Sequence, residues 1–96
     1  MFEWDPAKAT ANLSKHGVSF DEAKSAFADT RGLDGPDIQH SSAEIRFLRV
    51  GISGLGRVLT IVYTVRRKDN AEVIRIISAR QASRKEKAAY RRIPQD

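Results

Sequence analysis

Apolar positions along this chain follow two rhythms, a helical one first and an alternating one later. At the start, Phe2 and Trp4 flank Glu3, the alternation of a half-buried edge strand. Asp5 followed by Pro6 predicts a helix N-cap with proline at the first helical position, where its missing N–H costs nothing. Good helix formers continue to Lys15, and His16-Gly17 predicts the stop, because Gly17 is free to adopt positive φ. Ser19 and Glu22 have the spacing of a capping box for a second helix, with Phe20, Ala23, Ala26 and Phe27 on its buried side.

Residues 28–44 are rich in Asp, Gly, Ser and Pro and predict a surface connection with room for one short strand. Three strand-like runs follow. Residues 44–52 alternate apolar and basic side chains, and 57–66 form a β-branched and aromatic run suited to a central strand. Residues 72–79 return after a turn at Asp69-Asn70, while Gly51, Gly54 and Gly56 read as turn residues of the preceding hairpin. Such short connections predict an antiparallel meander. A second capping box, Ser83 with Glu86, opens a helix running to about Arg92 before Pro94, with Ala82, Ala89, Tyr90 and Ile93 on its inward side. The prediction is one α+β domain over residues 1–96: two N-terminal helices packed on an antiparallel sheet of three to four strands, then a C-terminal helix.

Composition narrows the function classes. Ninety-six residues suffice for a single core. No apolar run has the length of a membrane span and no secretory h-region follows Met1, so the expected setting is cytoplasmic with no membrane partner. The absence of cysteine excludes disulfides, thiolate metal sites and cysteine nucleophiles. Charge changes the picture more. Arg75, Arg80, Arg84, Lys85, Lys87, Arg91 and Arg92 stand against one anion, Glu86. That stretch therefore carries six net positive charges, one more than the +5 of the whole chain, and the remainder is net −1. A charge run is often only a solvated face, but its position beside an arginine-bearing strand points to an anionic ligand.

Familiar catalytic signatures are absent. The two histidines, His16 and His40, lie on separate segments without a carboxylate cluster at metal-ligand spacing, so no metal is expected. There is no glycine-rich phosphate loop and no nucleophile elbow. What remains is a set of arginines at strand positions or strand ends: Arg46, Arg66, Arg75 and Arg80. Their planar forks suit phosphate oxygens. The alternatives are salt bridges to Glu44, Glu72 or Asp69, or blunting of a sheet edge. Tyr63, Tyr90 and Trp4 sit at spacings more often found in cores, and His16 stands where an imidazolium complements a helix C-terminus.

Three blocks of residues carry a family resemblance. The first comprises Phe2, Trp4, Asp5, Lys8, Asn12, the run Lys15-His16-Gly17-Val18, Phe20 and Ala23; the second is Gly56 to Arg66; the third is Arg75 to Tyr90. Together they resemble the BrnT toxins of bacterial type II toxin–antitoxin systems, over nearly the whole chain. Residues 28–43 show little of the pattern, and Ile45 stands where an acidic residue often precedes the strand arginine. The resemblance implies a RelE-like fold and an endoribonuclease that halts translation without a cofactor. It also implies neutralisation by a BrnA-like ribbon-helix-helix antitoxin in a 2:2 assembly, through which alone DNA is contacted.

Metal-independent RNA cleavage needs a base for the ribose 2′-hydroxyl, an acid for the leaving 5′ oxygen and cations at the phosphate. On that reading Arg66, Arg75 and Arg80 hold the phosphate, while Lys15 and His16 are proton-transfer candidates, with Tyr90 as a further acid or a surface for base stacking. Arg46, Arg84, Lys85 and Lys87 bind the flanking RNA backbone. Glu86 is assigned to capping Ser83 or to orienting an arginine. The alternative is a basic module without catalysis that binds nucleic acid or docks a partner.

Overall fold

A computed structural model describes residues 1–92. The Asp5 carboxylate accepts from the Ala7 N–H at 2.9 Å and opens α1 (Pro6–His16), which Gly17 closes at φ 69°. Ser19 caps α2 (Phe20–Ser25), and a 3₁₀ turn follows over Ala26–Ala28. The capping box there is only half formed. Ser19 Oγ accepts from the Glu22 N–H, but the Glu22 carboxylate turns away to the Arg57 guanidinium and the Ser53 hydroxyl. A full charge is a stronger partner than a backbone N–H.

The strands are β1 (Phe2–Glu3), β2 (Leu33–Pro36), β3 (Phe47–Ile52), β4 (Val58–Lys68) and β5 (Ala71–Gln81). They form one sheet in the order β1-β5-β4-β3-β2. The meander β3-β4-β5 is antiparallel as predicted, with Asp69 and Asn70 both at positive φ in its second turn. Two short edge strands raise the count to five and make the sheet mixed, because β1 runs parallel to β5. β1 is the edge strand that the alternation of Phe2 and Trp4 predicts, and β2 the short strand for which residues 28–44 left room. The parallel pairing of β1 with β5 is a tertiary feature that no local pattern announces. Gly51 belongs to β3 rather than to the turn. A Cβ there would come within 3.0 Å of the Ala26 carbonyl, so the residue permits close helix–sheet contact.

The core lies between the helices and one face of the sheet. Val18, Phe20, Ala23 and Ala26 meet Leu59, Ile61, Ile76 and Ala79, with Phe2, Trp4 and Phe27 packed around them. Trp4 meets Phe20 edge to face, the core role expected of it. Between Val62 and Tyr63 the pairing with β5 slips: Val62 pairs with Ser78 and Tyr63 with Ile76, leaving Ile77 as an extra residue. Arg75 and Arg80 are five positions apart, and strict alternation would put them on opposite faces. The bulge resets the parity. Arg75 (opposite Thr64) and Arg80 (opposite Thr60) both project from the face away from the helices.

Beyond Ile74 and Arg75, β1 no longer covers the edge of β5. Asn12 takes over there. Its buried side-chain amide donates to the carbonyls of Val18 and Ala79 at 2.9 Å and accepts from the Ala79 N–H at 3.1 Å. It replaces a strand residue and fixes α1 along the edge. The C-terminal helix α3 (Arg84–Arg91) has the complete capping box predicted at Ser83 and Glu86. Ala82 is buried and Tyr90 half-buried, but Ala89 is exposed rather than inward; Ile93 lies outside the described residues. Replacing Asn12 with alanine strands both polar groups of Ala79, and we expect a loss of about 2–4 kcal/mol in urea denaturation.

Candidate functional site

The face of the sheet away from the helices is partly covered at both ends. At one end Thr60, a buried β4 residue, donates to Glu86 of α3 at 2.9 Å. Toward the other, Thr64 donates to the Ile45 carbonyl at 2.7 Å. A cleft of about 300 Å³ opens on this face. Leu48, Thr60, Val62 and Ser78 from three adjacent strands floor it, and Arg80, His16 and the segment Asp37–His40 rise around it.

Arg80 is held in a fixed plane. Its Nη1 and Nη2 donate to the two carboxylate oxygens of Glu86 at 2.7 and 2.9 Å, and Nη1 also reaches the Gln81 carbonyl at 3.3 Å. Of the five guanidinium N–H groups, those at Nε and one at Nη2 remain for a ligand. The hydrogen bonds from Arg80 outweigh partial burial and hold the Glu86 carboxyl at about 2, against an ordinary 4.5, with help from Ser83 and Thr60. Glu86 thus caps α3 and orients an arginine at once.

His16 reaches the cleft because Asn12 holds the last turn of α1 against β5. Lys15 is exposed in a neighbouring groove with Lys8, Ile77 and Ser78. On the other wall, His40 Nδ1 lies 2.8 Å from Asp37 Oδ2; the histidine side chain is 61% exposed and the aspartate only 6%. From the sequence His40 was weighed only as a metal ligand and set aside for want of a carboxylate cluster at that spacing. The signal was Asp37 three residues earlier, one 3₁₀ turn away over Ile38–His40.

The remaining predicted residues do not converge on this cleft. Arg66 and Arg75 share a face, as considered from the sequence, but cluster around acids: Arg75 donates to Glu3 at 2.8 Å and Arg66 to Glu44 at 3.4 Å. The Glu44 pairing is one of the salt bridges weighed for these arginines; the partner of Arg75 is Glu3, which also binds Lys68. At roughly 3.3 Å per residue, Arg75 stands ~16 Å along β5 from Arg80. Arg46 precedes β3, and its Nε is a buried nitrogen without a partner among the described residues. Arg84 and Lys85 are exposed on α3, and Lys87 is half-buried. The Tyr90 hydroxyl donates to Asp29 at 2.5 Å, away from the cleft, and burial followed by that carboxylate pushes its pKa up. A buried cation that sequence reasoning missed, Arg49, lies on the helix side. It bonds Asp34 and the carbonyls of Asp29 and Ala26 above the Phe27 ring, where it ties β2 to the core.

A family model described as the ribonuclease toxin BrnT of type II toxin–antitoxin systems matches residues 4–86. The chain belongs to the BrnT family. No curated protein matches it. The α+β architecture with its mixed five-stranded sheet is consistent with the RelE-like fold expected of a BrnT chain. Membership in a type II toxin family implies an RNA substrate and an antitoxin partner. Among the described residues no helix is long and apolar enough to cross a membrane.

The Glu86 pairing has a thermodynamic consequence with a definite sign. A carboxylate held at about 2 in the folded chain and ordinarily at 4.5 stabilises the fold above its unfolded value and loses that contribution as pH falls toward 2. Screening at a part-exposed pair limits the effect to about 1–2 kcal/mol. Between pH 5 and pH 2, urea denaturation should show the parent chain losing most of that extra stability relative to Glu86→Gln.

Proposed function

We propose that this BrnT chain is a metal-independent endoribonuclease that arrests translation, and that the cleft around Arg80 is where it cuts RNA. The observation that carries the reading is the guanidinium of Arg80, pinned by Glu86 with two donors free, on the wall of a cleft that His16 also lines. A phosphodiester seated there meets a fixed cation where charge develops on its oxygens. His16 protonates the leaving 5′ oxygen, and the substrate's own 2′-hydroxyl is the nucleophile, which restricts cleavage to RNA. Imidazole and guanidinium supply these functions without a metal.

Arg66 and Arg75, displaced along the sheet, hold a phosphate further along the RNA in exchange for part of their pairing with Glu44 and Glu3. Arg46, Lys15, Arg84, Lys85 and Lys87 steer and grip the flanking backbone, and a spacing of ~16 Å is too wide for one scissile phosphate. Tyr90, bonded to Asp29, positions α3. The antitoxin is a BrnA-like protein whose ribbon-helix-helix part contacts DNA on behalf of a 2:2 assembly; the net +5 charge and its concentration near α3 favour an acidic segment of that partner covering the same face.

Arg80→Ala should lower the cleavage rate by ~10²–10³-fold while RNA binding through the outer cations persists. The parent chain should leave 2′,3′-cyclic phosphate and 5′-hydroxyl ends at a rate that excess EDTA does not change. RNA binding with no cleavage would instead make this a basic module without catalysis.

A further inference from the structure

His40 and Asp37 form a hydrogen-bonded pair on the wall of the cleft. We propose that His40 is the general base that takes the 2′-hydroxyl proton and that Asp37 is its positioning residue, an assignment that rests on the ribonuclease reading of the cleft.

Asp37 is built to stay where it is. Its side chain is 6% exposed, its N–H donates to the Arg46 carbonyl at 2.8 Å, and its own carbonyl accepts from the Ser41 hydroxyl at 2.7 Å. A carboxylate withdrawn from water requires a polar partner, and the partner it has is the His40 ring at 2.8 Å. The imidazole, by contrast, is largely exposed and lines the cleft with Arg80. A rigid, buried acid behind a solvent-facing imidazole is the arrangement that sets a tautomer. The carboxylate draws the ring proton to Nδ1 and leaves the Nε2 lone pair free to accept one.

Other carboxylates near this face are committed to cations. Glu86 holds Arg80, Glu44 meets Arg66, and Glu3 binds Arg75 and Lys68. His40 and His16 rise from different sides of a floor three strands wide, about 10 Å at the usual strand spacing. In-line displacement needs its two proton-transfer groups on opposite sides of phosphorus. His40 Nε2 accepts the 2′-hydroxyl proton as the 2′ oxygen bonds to phosphorus. The bond from phosphorus to the 5′ oxygen breaks, and that oxygen leaves with the proton of a protonated His16. The products are a 2′,3′-cyclic phosphate and a 5′-hydroxyl, and no further reactant enters.

The test uses the full chain and an RNA oligonucleotide, with the release of cyclic phosphate as readout. His40→Ala should lower the rate by ~10²–10⁴-fold with melting and RNA affinity unchanged, and added imidazole should restore part of it. Asp37→Asn should give a smaller loss that vanishes in the His40→Ala background, because the two act as a unit. Full cleavage by His40→Ala, beside an active parent, overturns the base assignment and leaves the ribonuclease reading standing. Loss of RNA binding or of fold without imidazole rescue overturns it in favour of a structural role. A parent chain that cuts no RNA overturns both.

Discussion

Ile77 is the residue by which β5 outruns β4, and the parity change it introduces governs both faces of the sheet. On the helix side it lets Ile76 and Ala79, three positions apart, both enter the core. On the other side it lets Arg75 and Arg80 share a surface. A regular strand cannot do either, because side chains alternate strictly and a one-residue shift moves every one of them to the opposite face. Bulges recur beside functional sites for this reason. Here the basic strand and the core are made compatible by a single unpaired residue.

Glu86 then converts exposed charge into a shaped site. One carboxylate accepts from Ser83, Thr60 and Arg80, so helix start, strand and guanidinium are fixed relative to one another. The cost of holding a charge among part-buried groups is offset by charge-assisted hydrogen bonds. The result is an arginine whose plane and free donors are defined before any ligand arrives, the preorganisation that electrostatic catalysis requires. Asn12 does the equivalent along the outer edge of β5, where its amide closes the strand at Ala79 and brings the end of α1, with His16, to the same cleft.

Local chemistry made much of this readable beforehand. Caps at Asp5 and Ser83, the glycine stop at Gly17 and the Asp69-Asn70 turn are short-range devices, and each appears in the structure as the sequence implies. Features that depend on pairing between distant segments were not readable. Whether Arg75 and Arg80 share a face depends on a bulge invisible without the register, and Glu22 abandons its capping position for Arg57, thirty-five residues away. The edge strand at Phe2–Glu3 was legible from its alternation, but its parallel pairing with β5 was not. Asp37 and His40 are close in sequence, yet their spacing gains meaning only once a 3₁₀ turn sets one beneath the other beside Arg80.

In the proposed site a single RNA phosphate sits between Arg80 and the histidines of this cleft. The most direct measurement is a nuclear magnetic resonance titration with an oligonucleotide made uncleavable by a 2′-deoxy substitution. The account predicts that the Arg80 guanidinium and the His16 and His40 ring signals shift together along one saturating isotherm, while buried Arg49 stays unchanged. Shifts confined to Arg66, Arg75 and Glu3, with both cleft histidines silent, would contradict it.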